Sequence, residues 1–522
     1  MSENVSCVDC VVIGAGHNGL VAAAYLAKAG KSVLVLERSD HVGGAAISKE
    51  VFPGVPARLS KYSYLVSLLP ESIRKDLGIE LELVRRRVSS YTPDPSDPAK
   101  GLAIPVADPG RLRAEFERVV GDAEEADRWT EFYARTEQMA QALFPTLTQP
   151  LMSEEDFHAL VGEANWRDFI ASPLGEVIER SLTSDIARGV VLTDGLIGTF
   201  ADSHDPSLRQ NICFLYHVIG NGTGDWDVPI GGMGHLTQQL ADRAREWGAQ
   251  IITNAEVTAV RSSQDSVNVS YRLEDGATQT VRAEYAVANC APAVLDELLG
   301  RAPRVPEGDD VGAQIKINML LTHLPRLRDE TVSPEDAFCG TFHINENYSQ
   351  LNAAVQQARS GSLPQLLPAE IYCHSLSDPS ILAPKLREAG VQTLTMFVLH
   401  TPDQLFTGAR APSRDDILAA AFATLNSVLA EQIEQCLYRD NAGNPCIEVN
   451  TTVDIAADLA IPSGNIFHTP LEWPWAENSS EVGTWGVETD DPRIVLGGSG
   501  ARRGGGVSGI PGHNAAQYIL SH

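Results

Sequence analysis

Apolar residues near the start of the chain form two short runs separated by an alanine-rich stretch. Residues 11–13 read VVI, the segment up to Gly30 is rich in alanine, and KSVLVLE follows and ends at Glu37. Short apolar runs bounded by turn residues are typical of buried parallel strands, and the alanine-rich stretch between them is typical of a helix. The pattern therefore predicts a strand–helix–strand unit at the start of the chain.

Two long central stretches differ in their pattern of apolar residues. Residues 76–224 are predicted to be mainly helical, because RLRAEFERVVGDAEEADRWTEFYARTEQMAQALF has apolar positions at helical spacing and no internal proline. Within this range, a proline-rich loop, YTPDPSDPAKG, precedes the run with helical spacing. Residues 301–459 mix strand-like runs (QIKINMLLTHL, PAEIYCHSL, QTLTMFVLHTP) with a long helix, RDDILAAAFATLNSVLAEQIEQCLY. Sheet plus helices is what a domain that caps a substrate would need.

The end of the chain combines a buried strand with a glycine-rich turn. Residues 494–500 predict a short buried strand and a turn, and a run rich in glycine then leads into an apolar terminal helix, AAQYIL. Glycine costs backbone entropy, so a folded protein keeps it where a Cβ would obstruct something. We therefore expect a ligand to approach the backbone near Gly506.

Composition and charge exclude some classes of protein. The chain has 522 residues, 43% of them hydrophobic and 21% charged, which allows two or more globular domains. A formal charge of −28 argues against a nucleic-acid binder. No apolar run is long enough to span a bilayer, and MSENVSCVDC resembles no signal or transit peptide. We predict a cytoplasmic protein, with peripheral membrane contact and a homodimer left open.

The cysteines and histidines show no pattern of a metal or disulfide site. Cys7 and Cys10 form a C-x-x-C, but the second begins a strand, where an extended backbone holds the sulfurs apart. Eight cysteines in so long a chain do not form a disulfide scaffold, and no H-x-x-x-H or paired cysteine set follows. We read the cysteines as ordinary thiols and predict no metal.

The first turn carries the motif of a dinucleotide site. Gly14-x-Gly16-x-x-Gly19 joins the first strand to the helix, and Glu37 ends the second strand. Gly14 allows the tight turn, Gly16 lets a pyrophosphate touch the backbone, and Gly19 allows close helix–strand packing. The helix N-terminus attracts phosphate, and the acid lies near the spacing expected for a ribose ligand. A plain strand–helix–strand unit is the alternative.

Two further features favour FAD over NAD. RSDHVGGAAIS follows the acid, and its Gly43 and Gly44 can bring backbone amides against the pyrophosphate from the other side. The glycine-rich tail can offer amides to a flavin ring, where negative charge develops on reduction. With the four residues named above, the predicted cofactor set contains Arg38, Gly43, Gly44, Ala45, Gly498, Gly506, Val507 and Ser508.

Three segments resemble one known family. DCVVIGAGHNGLVAAAYLAKAGKSVLVLERSDHVGGAA, VPIGGMGHLTQQLADRAREWGAQIITNAEVTAV and GGGVSGIPGHNAAQYIL are similar, in this order, to phytoene desaturase-like FAD oxidoreductases. The similarity is closest to the subgroup named for pyridine nucleotide-disulfide oxidoreductase domain-containing protein 2. It implies a backbone group at Val257 against the adenine. It also implies an α/β fold (α+β overall), with a discontinuous Rossmann-type FAD domain from 1–75, 225–300 and 460–522, and insertions at 76–224 and 301–459.

The expected chemistry is hydride transfer from a substrate C–H bond to flavin N5, with a base taking the neighbouring proton. His513 is the histidine best placed in the sequence for that role, although it could equally cap the terminal helix. Relatives commonly carry a Thr-His-Pro-like run where this chain has Arg502 and Arg503, two cations that would suit reduced flavin or an acidic substrate. One of them could instead be structural. Tyr62 and Tyr64 could line a substrate channel or simply pack.

The sequence thus predicts an FAD-dependent oxidoreductase acting on a small, moderately hydrophobic molecule, and it leaves open whether that molecule is anionic. No second complete glycine motif with strand and acid appears, so we expect reoxidation by oxygen, a quinone or a partner protein rather than by a nicotinamide. Three alternatives stay open. They are a flavin amine oxidase, a protein in which FAD is only structural, and a redox-neutral flavin isomerase.

Overall fold

Two seven-stranded sheets organise the protein in a computed structural model that describes residues 6–522. The strands are β1 (Ser6–Ile13), β2 (Val33–Leu36), β3 (Ser48–Glu50), β4 (Arg58–Ser60), β5 (Leu83–Val84), β6 (Val88–Pro93), β7 (Gly101–Pro105), β8 (Val228–Pro229), β9 (Gln250–Ile252), β10 (Ala255–Ser262), β11 (Val267–Leu273), β12 (Thr278–Ala288), β13 (Ile315–Leu321), β14 (Thr341–Ile344), β15 (Ala369–Tyr372), β16 (Gln392–Val398), β17 (Ile447–Asn450) and β18 (Ile494–Leu496).

The helices are α1 (His17–Lys28), α2 (Glu71–Leu77), α3 (Pro109–Val119), α4 (Glu125–Leu143), α5 (Glu154–Val161), α6 (Glu163–Asn165), α7 (Leu174–Ser181), α8 (Asp185–Thr193), α9 (Arg209–Val218), α10 (Met233–Glu246), α11 (Pro292–Leu298), α12 (Pro334–Phe338), α13 (Tyr348–Arg359), α14 (His374–Ser377), α15 (Pro384–Glu388), α16 (Gln404–Thr407), α17 (Arg414–Val428), α18 (Ile433–Cys436), α19 (Thr452–Leu459) and α20 (Ile510–Ser521). In residues 6–522, none of these helices is both long and apolar enough to cross a bilayer. The predicted absence of a leader sequence rests partly on residues 1–5, which lie outside the described residues.

The first sheet brings distant parts of the chain side by side. Its order is β10–β11–β12–β1–β2–β9, and β18 pairs with β12. β1 runs parallel to β12 and β2, and β18 runs parallel to β12. Cys10 and Val12 pack in one core and Val11 and Ile13 in another, so both faces of β1 are buried. A strand covered on both faces needs apolar residues at every position, which explains the continuous run that predicted it.

Two helices from opposite ends of the chain pack together on this sheet. α1 follows β1, and α20 closes the chain against it. A Cβ at Gly512 in α20 would lie 1.9 Å from the carbonyl oxygen of Asn18 in α1. A Cβ at Gly19 would lie 2.4 Å from the oxygen of Gly14. Only glycine at position 512 allows α20 to approach α1 so closely, and only glycine at position 19 allows α1 to approach the turn after β1.

The second sheet has one apolar face and one polar face. Its order is β17–β13–β16–β15–β14–β6–β7, and all neighbours are antiparallel except β6 and β14. In β13, Ile315 and Ile317 pack in a core with α17, whereas Lys316 and Asn318 point to the other side. Side chains alternate between the two faces of a strand, so the polar residues of these strands share one face.

The structure refines three sequence-based expectations. Most of the proline-rich YTPDPSDPAKG is the loop between β6 and β7, its ends belong to these two strands, and β6 joins the second sheet next to β14. The helical segment predicted after it contains two helices, α3 and α4, separated at Gly121, whose φ is +78°. The long helix near residue 420 ends at Val428, and α18 begins at Ile433. The domain boundaries drawn from the sequence stay predictions.

The first strand begins at Ser6, earlier than the Cys10 predicted from the sequence. Cys7 and Cys10 both lie in β1, the first exposed and the second buried. Burial raises the pKa of the Cys10 thiol to about 12, so it stays protonated at neutral pH. All eight cysteines are free thiols.

Candidate active site

A single cavity of about 820 Å³ lies between the first sheet and the polar face of the second. The loop after β1, the loop after β2 and the glycine-rich tail before α20 line one part of it. Strands β13, β14, β15 and β16 line the other part. A ligand held by the two chain ends would therefore share one continuous cavity with a second ligand on the sheet.

The acid at the end of the second apolar run is fixed by backbone groups. One oxygen of Glu37, Oε2, accepts a hydrogen bond from Ala15 N at 2.7 Å, and Oε1 accepts one from Ser39 N at 2.8 Å. Glu37 is buried and lines the cavity. The hydrogen bonds hold the carboxylate at the mouth of the turn, where a ribose hydroxyl could also reach it.

The two glycine motifs near the N-terminus touch each other. Gly43 N donates a hydrogen bond to Ala15 O at 2.8 Å. Gly44 has a φ of +58°, and a Cβ there would lie 3.2 Å from Gly16 Cα. Gly16 and Gly44 both line the cavity, so two backbones meet without side chains at the start of α1. This arrangement leaves room for a phosphate group at a helix N-terminus.

The tail of the chain reaches the same place. Gly506 and Val507 line the cavity together with Gly14 and Gly16. Burial lowers the pKa of His17, the first residue of α1, to about 4; the charge of His468 lowers it further, while the Gly506 backbone raises it. His17 is therefore neutral at pH 7. The first and last segments of the chain thus form one wall.

Several buried polar atoms in this wall have no partner within the protein. Among the residues that the structure describes, His17 Nε2, Asn18 Oδ1 and His468 Nδ1 make no hydrogen bond. All three residues line the cavity. A buried polar atom without a partner is costly, and a bound ligand removes that cost. The unpartnered atoms and the side-chain-free turn fit a phosphate-containing ligand with hydroxyl groups, such as a dinucleotide.

The predicted cofactor residues divide into two groups. Those that line the cavity are Gly14, Gly16, Glu37, Arg38, Gly44, Ala45, Val257, Gly506 and Val507. The others, Gly19, Gly43, Gly498 and Ser508, lie behind this lining. Ser508 Oγ accepts a hydrogen bond from Ile510 N at 3.2 Å, which shapes the turn into α20.

Asn289 is a residue of this site that the sequence did not reveal. Its Nδ2 donates to Gly14 O at 2.9 Å, and a Cβ at Gly498 would lie 3.2 Å from its Cα. Asn289 follows β12 and lines the cavity. It joins the first glycine turn to the tail, a link that cannot be predicted from local spacing.

The three predicted catalytic residues lie outside the cavity wall, as far as the described residues show. Arg503 is buried, and its guanidinium donates to the carbonyl oxygens of Thr146, Leu147, Gln149 and Trp485 at 2.6–3.2 Å. Arg502 donates to the carbonyls of Trp473 and Trp475. His513 contacts Asn514 Oδ1 through Nδ1 at 2.9 Å and meets the Tyr25 ring edge-on. These placements favour the structural alternative for all three.

The polar face of the second sheet carries a carboxyl group suited to proton transfer. Glu370, on β15, lines the cavity, and its Oε2 accepts a hydrogen bond from Tyr372 OH at 2.6 Å. Burial, followed by the charge of Glu346, raises the pKa of Glu370 to about 7. A group with a pKa near the working pH can both take up and release a proton.

A second carboxyl group faces the same space. Asp194, directly after α8, lines the cavity, and burial together with Glu370 and Glu346 raises its pKa to about 8. Glu346 pairs with Thr193 Oγ1 and with His343 Nδ1. The guanidinium of Arg86 counteracts part of these shifts. Asp194 therefore keeps its proton at neutral pH, whereas Glu370, with a pKa of about 7, can gain or lose one.

Lys316 joins the polar face of the second sheet to the end of β4 and to the loop that follows it, which carries Tyr62 and Tyr64. Lys316 Nζ donates to Ser60 O at 2.9 Å and to Tyr62 O, and it lies 4.5 Å from the centre of the Tyr64 ring. The Tyr64 ring lies 4.8 Å from that of Tyr372. Tyr62 and Tyr64, predicted as possible channel residues, both line the cavity.

The strands that form the polar face of the second sheet carry a sequence signal of their own. The strands IKINMLL and AEIY are buried along their whole length, yet each contains one charged residue, Lys316 or Glu370, between apolar neighbours. A charged residue in a buried strand is rare unless it is paired or functional. The same pattern places His343 on β14.

Residues 12–69 match the family model described as an NAD(P)-binding Rossmann-like domain. An uncharacterized protein of Mycobacterium tuberculosis is 49% identical over 536 residues, which cover 100% of this chain and 98% of that protein. Pyridine nucleotide-disulfide oxidoreductase domain-containing protein 2 of Mus musculus is 28% identical, over 98% of this chain and 93% of that protein. The chain belongs to one family with this mycobacterial protein, and it is homologous over nearly its full length to the mouse protein. The resemblance predicted from the three motifs is confirmed.

A solved structure of a putrescine oxidase redesigned in its cofactor binding has a TM-score of 0.61 at 16% identity, covering 99% of each chain. At this level of identity the likeness shows the fold alone, and it confirms the predicted α/β fold class with a Rossmann-type domain. The homology to pyridine nucleotide-disulfide oxidoreductase domain-containing protein 2 identifies the chain as an oxidoreductase of the flavin-dependent amine-oxidase and desaturase type.

Proposed function

We propose that the protein is an FAD-dependent oxidoreductase that oxidises a small organic substrate held on the polar face of the second sheet. The observation that carries this proposal is the continuity of the cavity. Gly16 and Gly506 line it at one end, and Glu370 and Tyr372 line it at the other. A cofactor held by the chain ends would therefore face a substrate held by the sheet.

The residues that would hold FAD come from three segments. The N-terminus of α1, together with Gly16 and Gly44, would bind the diphosphate through backbone groups. Glu37 would accept hydrogen bonds from ribose hydroxyls, and Val257 would contact the adenine. Gly506 would lie at the flavin end, where backbone amides can stabilise negative charge.

The oxidation needs one group that takes a hydride and one that takes a proton. FAD, when bound, supplies the two-electron acceptor for a hydride that leaves a substrate carbon. Glu370 takes the proton released from the neighbouring atom, and its hydrogen bond with Tyr372 OH orients the carboxylate. The acceptor that would restore the oxidised cofactor is expected to be oxygen, a quinone or a partner protein.

The rest of the lining indicates the shape of the substrate. Trp129, Tyr133, Val190 and Ile197 form an apolar wall and exclude water around the substrate body. Arg86 is a cation in the part of the cavity that faces the second sheet, and it would be the partner of an anionic group, since Arg502 and Arg503 are bound elsewhere. Lys316 lines the same part, but burial lowers its pKa well below the ordinary value. The proposed substrate is therefore an apolar molecule with one polar group.

Substitution of Gly506 tests the position of the cofactor. Gly506→Ala places a methyl group in the lining at a φ of +61°, and we expect FAD affinity to fall about tenfold or more. Gly443→Ala is a matched control, because Gly443 also has a positive φ, +86°, but nothing lies within 4 Å of its Cβ position. FAD titration by fluorescence quenching measures both. Equal affinities for the two variants would contradict the proposed site.

An anaerobic panel tests the reaction. We expect the flavin absorbance of the holoenzyme to bleach with one member of a set of isoprenoids, organic acids and amines, and not with NADH. Admission of air should then restore the absorbance. Rapid bleaching by NADH would contradict the absence of a nicotinamide site. A flavin that no donor reduces would support a structural role for FAD.

Oxidation of an amine is the second candidate function. Asp194 and Glu370 both face the cavity, and paired carboxylates can bind an ammonium group. A cationic substrate would favour the ionised form of both acids. Amines alone would then bleach the flavin and produce hydrogen peroxide in air, and Asp194→Asn would raise KM more than it lowers kcat. Bleaching by isoprenoids or acids alone would exclude this candidate.

A further inference from the structure

Three potential metal ligands meet at the end of β13, away from the cavity. His323 follows the strand, Glu431 lies between α17 and α18, and Cys436 ends α18. His323 Nε2 lies 3.4 Å from Glu431 Oε2 and 3.8 Å from Cys436 Sγ. The three ligand atoms all lie within 4.8 Å of one another.

The hydrogen bonds around this cluster direct a lone pair towards its centre. Thr322 Oγ1 donates its one proton to Cys436 O at 3.1 Å. Its contact with His323 Nδ1, at 3.0 Å, therefore requires the proton on Nδ1. In the neutral form of that tautomer, Nε2 carries a lone pair that faces the carboxylate and the sulfur. Either a proton on Nε2 or a cation held by the three ligand atoms then relieves the contact between Nε2 and the carboxylate oxygen.

Glu431 is also oriented from outside the cluster. Its Oε1 accepts a hydrogen bond from Arg326 N at 2.7 Å, which leaves Oε2 directed at His323. A ligand carboxylate is commonly fixed in this way by a hydrogen bond to its second oxygen. Thr322 Oγ1 thus orients His323, and the backbone N of Arg326 orients Glu431, so that both side chains are directed towards the centre of the cluster.

Two separations between ligand atoms are close to those around a tetrahedral zinc ion. Zinc bonds of about 2.0–2.3 Å require nitrogen–oxygen and nitrogen–sulfur separations of about 3.3–3.6 Å. The nitrogen–oxygen distance of 3.4 Å lies in this range, and the nitrogen–sulfur distance of 3.8 Å is slightly longer. One nitrogen, one oxygen and one sulfur donor suit a borderline-soft cation such as Zn²⁺ better than Mg²⁺ or Ca²⁺. The side chain of His323 is 53% exposed, so a fourth position is open to water.

We propose that His323, Glu431 and Cys436 form a zinc site that joins the end of β13 to the segment between α17 and α18. The three residues span more than a hundred positions, since His323 and Cys436 are 113 residues apart. Rules based on local spacing therefore predicted no metal. The site would fix the outer edge of the second sheet independently of FAD.

Cobalt binding tests the site without any enzyme activity. Metal-free holoenzyme titrated with Co²⁺ is expected to bind one equivalent and to develop a thiolate charge-transfer band in the difference spectrum. Zn²⁺ should displace the cobalt. Cys436→Ser should abolish the band, and His323→Gln or Glu431→Gln should weaken Zn²⁺ binding about tenfold or more. Cys446→Ser, at another buried cysteine of the same sheet region, should bind as wild type does.

Two results would overturn the proposal. One is the absence of a thiolate band in the wild-type protein. The other is equal metal affinity in the wild type, Glu431→Gln and His323→Gln, which would show an ordinary ion pair between a protonated His323 and Glu431. His323→Gln changes a half-exposed side chain, so it keeps the test valid if Cys436→Ser does not fold.

Discussion

Glu370→Gln is expected to lower the rate of anaerobic flavin reduction by the substrate about a hundredfold or more. The variant keeps the shape of the side chain and an acceptor for Tyr372 OH, but it cannot take a proton. A general base contributes about 10²–10⁴ to a rate, so its loss should dominate the kinetics. In the wild type the rate should rise with pH through about 7, and this step should vanish in the variant.

The same variant should change how stability depends on pH. The pKa of Glu370 is raised in the folded state from about 4.5 to about 7, so the folded protein binds a proton that the unfolded chain releases. The free energy of unfolding therefore falls as pH rises from about 4.5 to 7 and levels off above that. Glu370→Gln should remove a decrease on the order of 3 kcal/mol over this window. Chemical denaturation at a series of pH values measures this effect.

Glu448→Gln is the matched control for both measurements. Glu448 lies on β17 of the same sheet and accepts a hydrogen bond from Asn318 at 3.1 Å, but it does not line the cavity. Its substitution should leave the rate and its pH profile unchanged. If Glu370→Gln retains wild-type rates while it binds FAD normally, the proton acceptor is another group, and Asp194 is the next to test.

The secondary-structure elements that could be predicted from the sequence are those whose signal is local. The turn at Gly14–x–Gly16 and the apolar runs around it predict β1, α1 and β2, because the residues that interact there are close in sequence. The strand at 494–496 and α20 were predicted for the same reason. The family resemblance then extended these local predictions to a discontinuous fold.

The residues that sequence reasoning missed depend on contacts between distant segments. Asn289 reaches Gly14 across 275 positions. The pKa of Glu370 is raised first by its burial in the folded protein and then by Glu346, which folding brings close. The arginines of the tail show the reverse case. Arg503 follows glycine-rich sequence near the expected flavin end, yet its guanidinium turns to the carbonyls after α4. The direction of a side chain depends on the residues packed around it, and the spacing of residues along the sequence does not reveal that direction.

Gly512→Ala is expected to destabilise the protein by about 3 kcal/mol, because the new Cβ would lie 1.9 Å from Asn18 O and 3.1 Å from Ala22 N. Backbone atoms of α1 cannot move away as a flexible side chain can, so α20 must shift as a whole. The shift would also displace Gly506 and Val507, and we therefore expect FAD to bind more weakly. Thermal unfolding with and without added FAD measures both effects.

Gly110→Ala separates this clash from the general effect of alanine in a helix. Gly110 lies in α3, and its nearest neighbour would be 3.7 Å from the added Cβ. Alanine in a helix normally gains up to about 1 kcal/mol over glycine, so this variant should be as stable as the wild type or more stable. A Gly512→Ala protein of wild-type stability would show that α1 and α20 are not in direct backbone contact. The two ends of the chain would then have no fixed relation at the cofactor, and the proposed binding of FAD between them would fail with it.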